Sequence, residues 1–190
     1  MNNENLQNYF DNFVSVYTGS LNKEVLNTIK KIANKTYTTL KQGNKIMFAG
    51  NGGSASDCQH FAAEYVSKIK NVRKPLNAIS LTSDISIITS IANDFGFEHI
   101  FERQIEAIGK KKDIIFLYST SGISKNILSA LKVCKKLNIL TVGFTGKNKK
   151  NYFSKNCDYI VNINSSETSH IQEIYKIISH YICFCVERNF

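Results

Sequence analysis

The segment Lys45–Val66, KIMFAGNGGSASDCQHFAAEYV, changes character twice. The run Lys45–Ala49 reads as a strand. Gly50–Ser56, GNGGSAS, is too rich in Gly and Ser to continue a strand or a helix. From Ser54 to about residue 69 there is no Gly or Pro, and the chain reads as a helix. A buried strand that turns directly into a helix is the repeating unit of a parallel α/β sheet.

The unit recurs along the chain. Leu76–Leu81, Asp113–Tyr118, Leu140–Phe144 and Tyr159–Ile163 are further short apolar runs, with helical stretches near 84–93, 97–108, 124–137 and 168–188. Strands this apolar are buried on both faces, so the pattern predicts an α/β three-layer fold with a five-stranded parallel sheet and helices on both faces. Ligands of such sheets bind at the carboxyl ends of the strands, in the turns that lead into helices.

Residues 1–42 read instead as an N-terminal helical extension, two helices broken near Gly19-Ser20. Phe10, Phe13, Val14 and Tyr17 fall at i, i+3, i+4 and i+7, and Val25, Ile29, Ile32 and Ala33 continue the theme. Such a stripe packs on the domain or on a second subunit. With one proline, Pro75, and no low-complexity linker, residues 1–190 are expected to form one domain. Within it, 1–42 would serve packing and oligomerisation, and 43–190 would form the sheet core and C-terminal helix.

Composition bounds the setting. No window approaches the ~18 uninterrupted apolar residues of a membrane span, and MNNENLQNYFDNF lacks a basic region followed by an apolar core. A soluble cytoplasmic protein without membrane contacts is expected. Cys58, Cys134, Cys157, Cys183 and Cys185 form no CxxC pair, so reduced, mostly buried thiols are expected. The net charge is +9, but Lys30, Lys31, Lys68, Lys70, Lys110–Lys112, Lys135, Lys136, Lys147, Lys149 and Lys150 are scattered. That distribution reads as a solvated basic surface, with no nucleic acid as partner.

Two turns fall where the fold rule places a ligand: Gly50–Ser56 after the first strand and STSGIS, Ser119–Ser124, after the third. Both offer hydroxyls and glycine N–H groups at a helix start, which suits a phosphate. The plainer reading is that Ser and Thr cap the helices. Neither turn carries the GK[ST] of nucleoside triphosphate sites, and the first is not GxGxxG. His60 and Glu64 share one helix face at i, i+4 and can hold one metal or one substrate atom. Gln172 and His180 lie on the C-terminal helix, about 80° apart around its axis. A histidine in the run IISHYICF is more often a core residue, and Asn93-Asp94 reads as a helix stop.

Taken together, GNGGSASDCQHFAAE, SIANDFGFEHIF, STSGIS and IQEIYKIISH resemble the phosphoheptose isomerases of the sugar isomerase (SIS) domain superfamily, collinearly over nearly the whole chain. The resemblance implies conversion of sedoheptulose 7-phosphate to D-glycero-D-manno-heptose 7-phosphate, the first step toward activated heptose for surface polysaccharide. It implies one zinc per subunit at His60, Glu64, Gln172 and His180. It implies substrate contacts at Asn51, Gly52, Gly53, Ser54, Glu64, Asn93, Asp94, Ser119, Thr120, Ser121, Ser124 and Gln172. It also implies a homotetramer with inter-subunit active sites. Lys68, Ile123 and Tyr175 depart from residues common in the family and bear on substrate preference.

Ketose–aldose isomerisation moves a proton between C1 and C2 through an enediol, which needs a carbon base and an acid/base for the oxygens. Glu64 is assigned as base and His180 as acid/base partner. Two other readings exist: a non-catalytic SIS-domain binding protein of the DnaA-interacting type, and an isomerase of another phosphosugar. The first lacks the isomerase residues, and here Glu64 and His180 are both present.

Overall fold

The computed structural model describes residues 3–147 and 151–190. Lys149 and Lys150 of the scattered basic set lie outside the described residues. Two helices lead, α1 (Asn3–Ser20) and α2 (Lys23–Lys41). They break where Gly19-Ser20 predicts, and Asn22 caps α2 by accepting a hydrogen bond from Val25 N at 3.0 Å.

The strands are β1 (Ile46–Gly50), β2 (Ala78–Ser80), β3 (Ile114–Tyr118), β4 (Leu140–Thr145) and β5 (Tyr159–Asn162). All are parallel, in the order β2-β1-β3-β4-β5. The helices between them are α3 (Gly53–Val66), α4 (Ile85–Phe95), α5 (Glu102–Ile108), α6 (Lys125–Leu137) and α7 (Tyr152–Asn156), and α8 (Thr168–Glu187) closes the chain.

The strand period of two separates two cores. Phe48, Phe116, Tyr118 and Phe144 face one side and pack with α2, α3 and α8. Met47, Ala49, Ile115 and Leu117 face the other and pack with α5 and α6. This explains why β1 and β3 are apolar without alternation: every residue of both is buried.

Some boundaries differ from the sequence reading. β2 is shorter because it is the edge strand, with Ile79 41% exposed, although Leu81 N still donates to Phe48 O at 2.9 Å. The stretch 97–108 divides into a 3₁₀ turn, Phe97–His99, and α5. The helix after β1 stops at Val66, so Lys68 lies beyond it rather than on its face. The five-residue α7 is too short to leave a periodic signal.

Strand order changes direction between β1 and β3, since β1 leads to β2 on one side and β3 begins on the other. The crevice outside their carboxyl ends is where this architecture binds ligands. At the opposite end Asp113 ties the two strand starts, accepting from Lys45 N at 2.9 Å and pairing with Lys45 Nζ at 2.7 Å.

Candidate active site

Both predicted turns meet at that crevice. Asn51 and Asn126 exchange two amide hydrogen bonds, of 2.9 and 2.7 Å, which bridge the turn after β1 to the start of α6. Asn126 is buried and escaped the sequence reading; only its place just after STSGIS hinted at it.

Neither N-cap residue caps its helix with its own side chain, although in α6 Asn126 Oδ1 accepts Ile127 N at 3.0 Å. Gly52 precedes α3 with φ +56°, a conformation open to glycine, and offers no cap. Ser124 precedes α6, but its hydroxyl faces Ser119 Oγ at 3.1 Å. The Ser and Thr hydroxyls of these turns therefore do not cap the helices, and the remaining first-turn N–H groups stay available to an anion. In the second turn Ser119 Oγ accepts Gly122 N at 3.1 Å, Ser121 Oγ accepts Ile123 N at 3.3 Å, and Thr120 O accepts Gly146 N at 3.0 Å. Gly122 has φ +69°, and Ile123 is exposed.

α3 and α8 run side by side and in parallel, because their contacts step along both together. Gly53 meets Gln172: a Cβ built on the glycine would lie 3.0 Å from Gln172 Nε2. Ser54 Oγ is 3.5 Å from that nitrogen and 2.7 Å from the Tyr175 hydroxyl. One turn on, Asp57 Oδ2 is 3.0 Å from the same hydroxyl, and Lys176 Nζ is 3.4 Å from Asp57 Oδ1. Burial opposes the Lys176 charge, but Asp57 and Glu173 outweigh it and raise its pKa. Burial drives the Tyr175 phenol upward, so it stays protonated.

A further turn along, His60 and His180 bring their Nε2 atoms to 2.8 Å. His60 Nε2 is 3.6 Å from Glu64 Oε1, and one ligand atom from each of His60, Glu64 and His180 lies within 4.8 Å of the others. The cluster is half open: the His60 side chain is 48% exposed and that of Glu64 19%. Burial lowers the His180 pKa first, and the neighbouring His60 lowers it further against the pull of Glu64. A neutral imidazole is the form that binds a metal or accepts a proton.

Two imidazole nitrogens and a carboxylate oxygen converging this closely form a donor set that suits zinc. His180 is therefore no satisfied core histidine; its ring nitrogen meets another imidazole. Gln172 sits instead at the Gly53 end, eight residues or about 12 Å of helix rise from His180. Asn93 and Asp94 turn to each other, Nδ2 to Oδ1 at 2.8 Å, on the exposed last turn of α4.

Comparison with known proteins agrees with this geometry. The SIS domain family profile matches residues 8–146. A phosphoheptose isomerase of Aneurinibacillus thermoaerophilus is 41% identical over 186 residues, 97% of this chain and 93% of the relative. The chain belongs to the phosphoheptose isomerase family. Among solved structures, phosphoheptose isomerase GmhA from Neisseria gonorrhoeae superposes with TM-score 0.90 at 30% identity, covering 98% of each chain. A phosphoheptose isomerase from Francisella tularensis gives TM-score 0.93 at 29% identity, over 99% of this chain and 100% of that one. Within this family the chain is an enzyme, an isomerase, and the reading as a non-catalytic binding protein falls away.

Proposed function

We propose that the chain converts sedoheptulose 7-phosphate to D-glycero-D-manno-heptose 7-phosphate, with His60, Glu64 and His180 as its reaction centre. The convergence of these three side chains at one end of the α3–α8 groove carries the reading. The starts of α3 and α6 lie at the other end, so the groove has an anion end and a proton-transfer end.

Ser54, Ser119, Thr120, Ser121 and Ser124, with the N–H groups of Gly52 and Gly53, hold the phosphate. Asn51 and Gln172 hold hydroxyls beside them. Fixing the phosphate turns a flexible sugar into one whose reacting carbons stay at the cluster. The Glu64 carboxylate takes a proton from C1 while O2 gains one, giving the enediol. The proton returns to C2 and O1 loses its own, which leaves the aldose. His180, whose pKa burial lowers, relays the oxygen protons.

His60, Glu64 and His180 would hold one zinc, with the Gln172 amide as fourth donor if it turns from Ser54. When bound, zinc would act as a Lewis acid toward O1 and O2. Aldose formation from sedoheptulose 7-phosphate by metal-stripped and zinc-loaded protein tests this. Zinc-dependent turnover is expected; no turnover by folded, zinc-loaded protein would sink the heptose assignment.

The assembly is read as a homotetramer in the cytoplasm, making heptose for surface polysaccharide. Phe13 and Tyr17 pack against the core, but Leu6, Tyr9, Phe10 and Val14 stay half or more exposed on α1. A second copy would cover such a stripe. Asn93 and Asp94, exposed on α4, then serve a neighbouring subunit's site. All five cysteines are unpaired, which fits a reducing compartment. Among the described residues no helix is long and apolar enough to cross a membrane.

A further inference from the structure

The end of α3 that carries Glu64 is held by an ion pair whose partners are both out of solvent. Arg73 and Glu187 have side chains 4% and 0% exposed, with Arg73 Nε 3.7 Å from Glu187 Oε1. Arg73 lies seven residues beyond the end of α3 and reaches back to its last carbonyls. Nη2 donates to Glu64 O at 2.8 Å. Nη1 donates to Tyr65 O at 2.7 Å, Ser67 O at 3.2 Å and Lys74 O at 3.1 Å. Glu187, the last residue of α8, accepts from Ile69 N at 2.8 Å, Lys70 N at 2.9 Å and Asn71 N at 3.1 Å.

Orphan carbonyls at a helix end are ordinarily satisfied by a glycine turn or by water. Here a guanidinium does it, and one carbonyl it grips belongs to Glu64 itself. The counter-charge comes from α8, seven residues beyond His180, about 10 Å along the same helix. Arg73 and Glu187 thus fix the register between the two helices that bring Glu64 and His180 together. We propose that Arg73, braced by Glu187, is a positioning residue for Glu64: it sets where the carboxylate stands relative to His180 and to the substrate carbon. The inference rests on Glu64 being the base.

A planar fork that serves several carbonyls is not replaced by an ammonium. Arg73→Lys tests the inference beside Glu64→Gln and a control, Asp158→Asn. Asp158 holds Thr141 at the far end of the sheet, accepting its N–H at 2.8 Å and its hydroxyl at 2.7 Å. The control lowers Tm without touching the groove. In Arg73→Lys, kcat is expected to fall at least about tenfold with KM within about twofold, since small misplacements of reacting groups carry costs of that order. Amides of the last α3 turn exchange faster in Arg73→Lys and unchanged in Asp158→Asn, whose kcat stays at the wild-type value.

If Arg73→Lys does not fold, Glu187→Gln carries the same expectation. Wild-type kcat in the clamp variant, with Glu64→Gln inactive, would overturn the positioning role and leave the base in place. An equal fall in kcat in Asp158→Asn at matched Tm would reduce the clamp to general stability and overturn it too. Wild-type kcat in Glu64→Gln would remove the base, and the inference with it.

Discussion

His60 on α3 and His180 on α8, 120 residues apart in sequence, place their Nε2 atoms 2.8 Å from each other. The contact is possible because α3 and α8 run parallel on the same face of the sheet, with Phe61 packed against the His180 ring at 5.7 Å between centroids. Glu64 completes the group from one helical turn beyond His60. The chemistry of the site therefore depends on the alignment of two helices.

Glu187 predicts a pH dependence of stability. Its burial would raise the carboxyl pKa, but the N–H groups of Ile69, Asn71 and Lys70, together with Arg73, outweigh it and hold the pKa below the ordinary value. A folded pKa below the unfolded one gives stability that is present above about pH 4.3, the ordinary glutamate value. That stability is lost as pH falls through the folded value. Glu187→Gln is expected to cost about 1–3 kcal/mol at pH 7, as for a buried polar group that loses its partner. Urea unfolding should show the gap to wild type constant from pH 8 to about pH 5 and shrinking in more acid solution.

Asn126 predicts a link between the two ligand turns. Asn126→Ala leaves the Asn51 amide without its reciprocal partner, at a cost of about 1–3 kcal/mol. It also frees the turn after β1. Thermal unfolding should show the loss, and KM for the sugar phosphate should rise more than kcat falls.

The glycines at the start of α3 predict a contrast. A Cβ on Gly50 would lie 2.8 Å from Ser54 Cβ and 3.0 Å from Ser54 O, atoms that cannot withdraw. Gly50→Ala is expected to destabilise by about 1–3 kcal/mol. On Gly53 the same atom meets the movable amide of Gln172, at 3.0 Å from Nε2 and 3.3 Å from Oε1. Gly53→Ala should leave Tm nearly unchanged and raise KM, because the amide is pushed from its place.

The open side of α1 predicts the assembly. Phe10 and Val14 are 54% and 55% exposed one turn apart. Phe10→Asp with Val14→Asp should leave circular dichroism intact and lower the mass seen by sedimentation. An unchanged mass would place any interface between copies elsewhere.

Much of this was legible in the sequence where the signal is local. Five parallel strands, the break at Gly19-Ser20 and the turns at Gly50–Ser56 and Ser119–Ser124 all follow from short-range pattern, although the edge strands β2 and β5 are partly exposed. His60 and Glu64 were legible as an i, i+4 pair, and His180 through the resemblance. Long-range partners were not. Asp57 with Tyr175, Asn51 with Asn126, and Arg73 with Glu187 are each far apart in sequence, and nothing near either residue marks the other. Lys68 shows the cost of reading a helix past its end. The cation that organises this corner is Arg73, which returns to α3 from the loop after it.

The most direct test is turnover of sedoheptulose 7-phosphate by zinc-loaded Glu64→Gln and His180→Gln beside wild type, at matched folding by circular dichroism. Loss of a positioned acid or base lowers rates by about 10²–10⁴-fold, and a fall of that size in kcat is predicted for each variant. Turnover within about tenfold of wild type in either one would contradict the account, because that side chain would then not carry the proton.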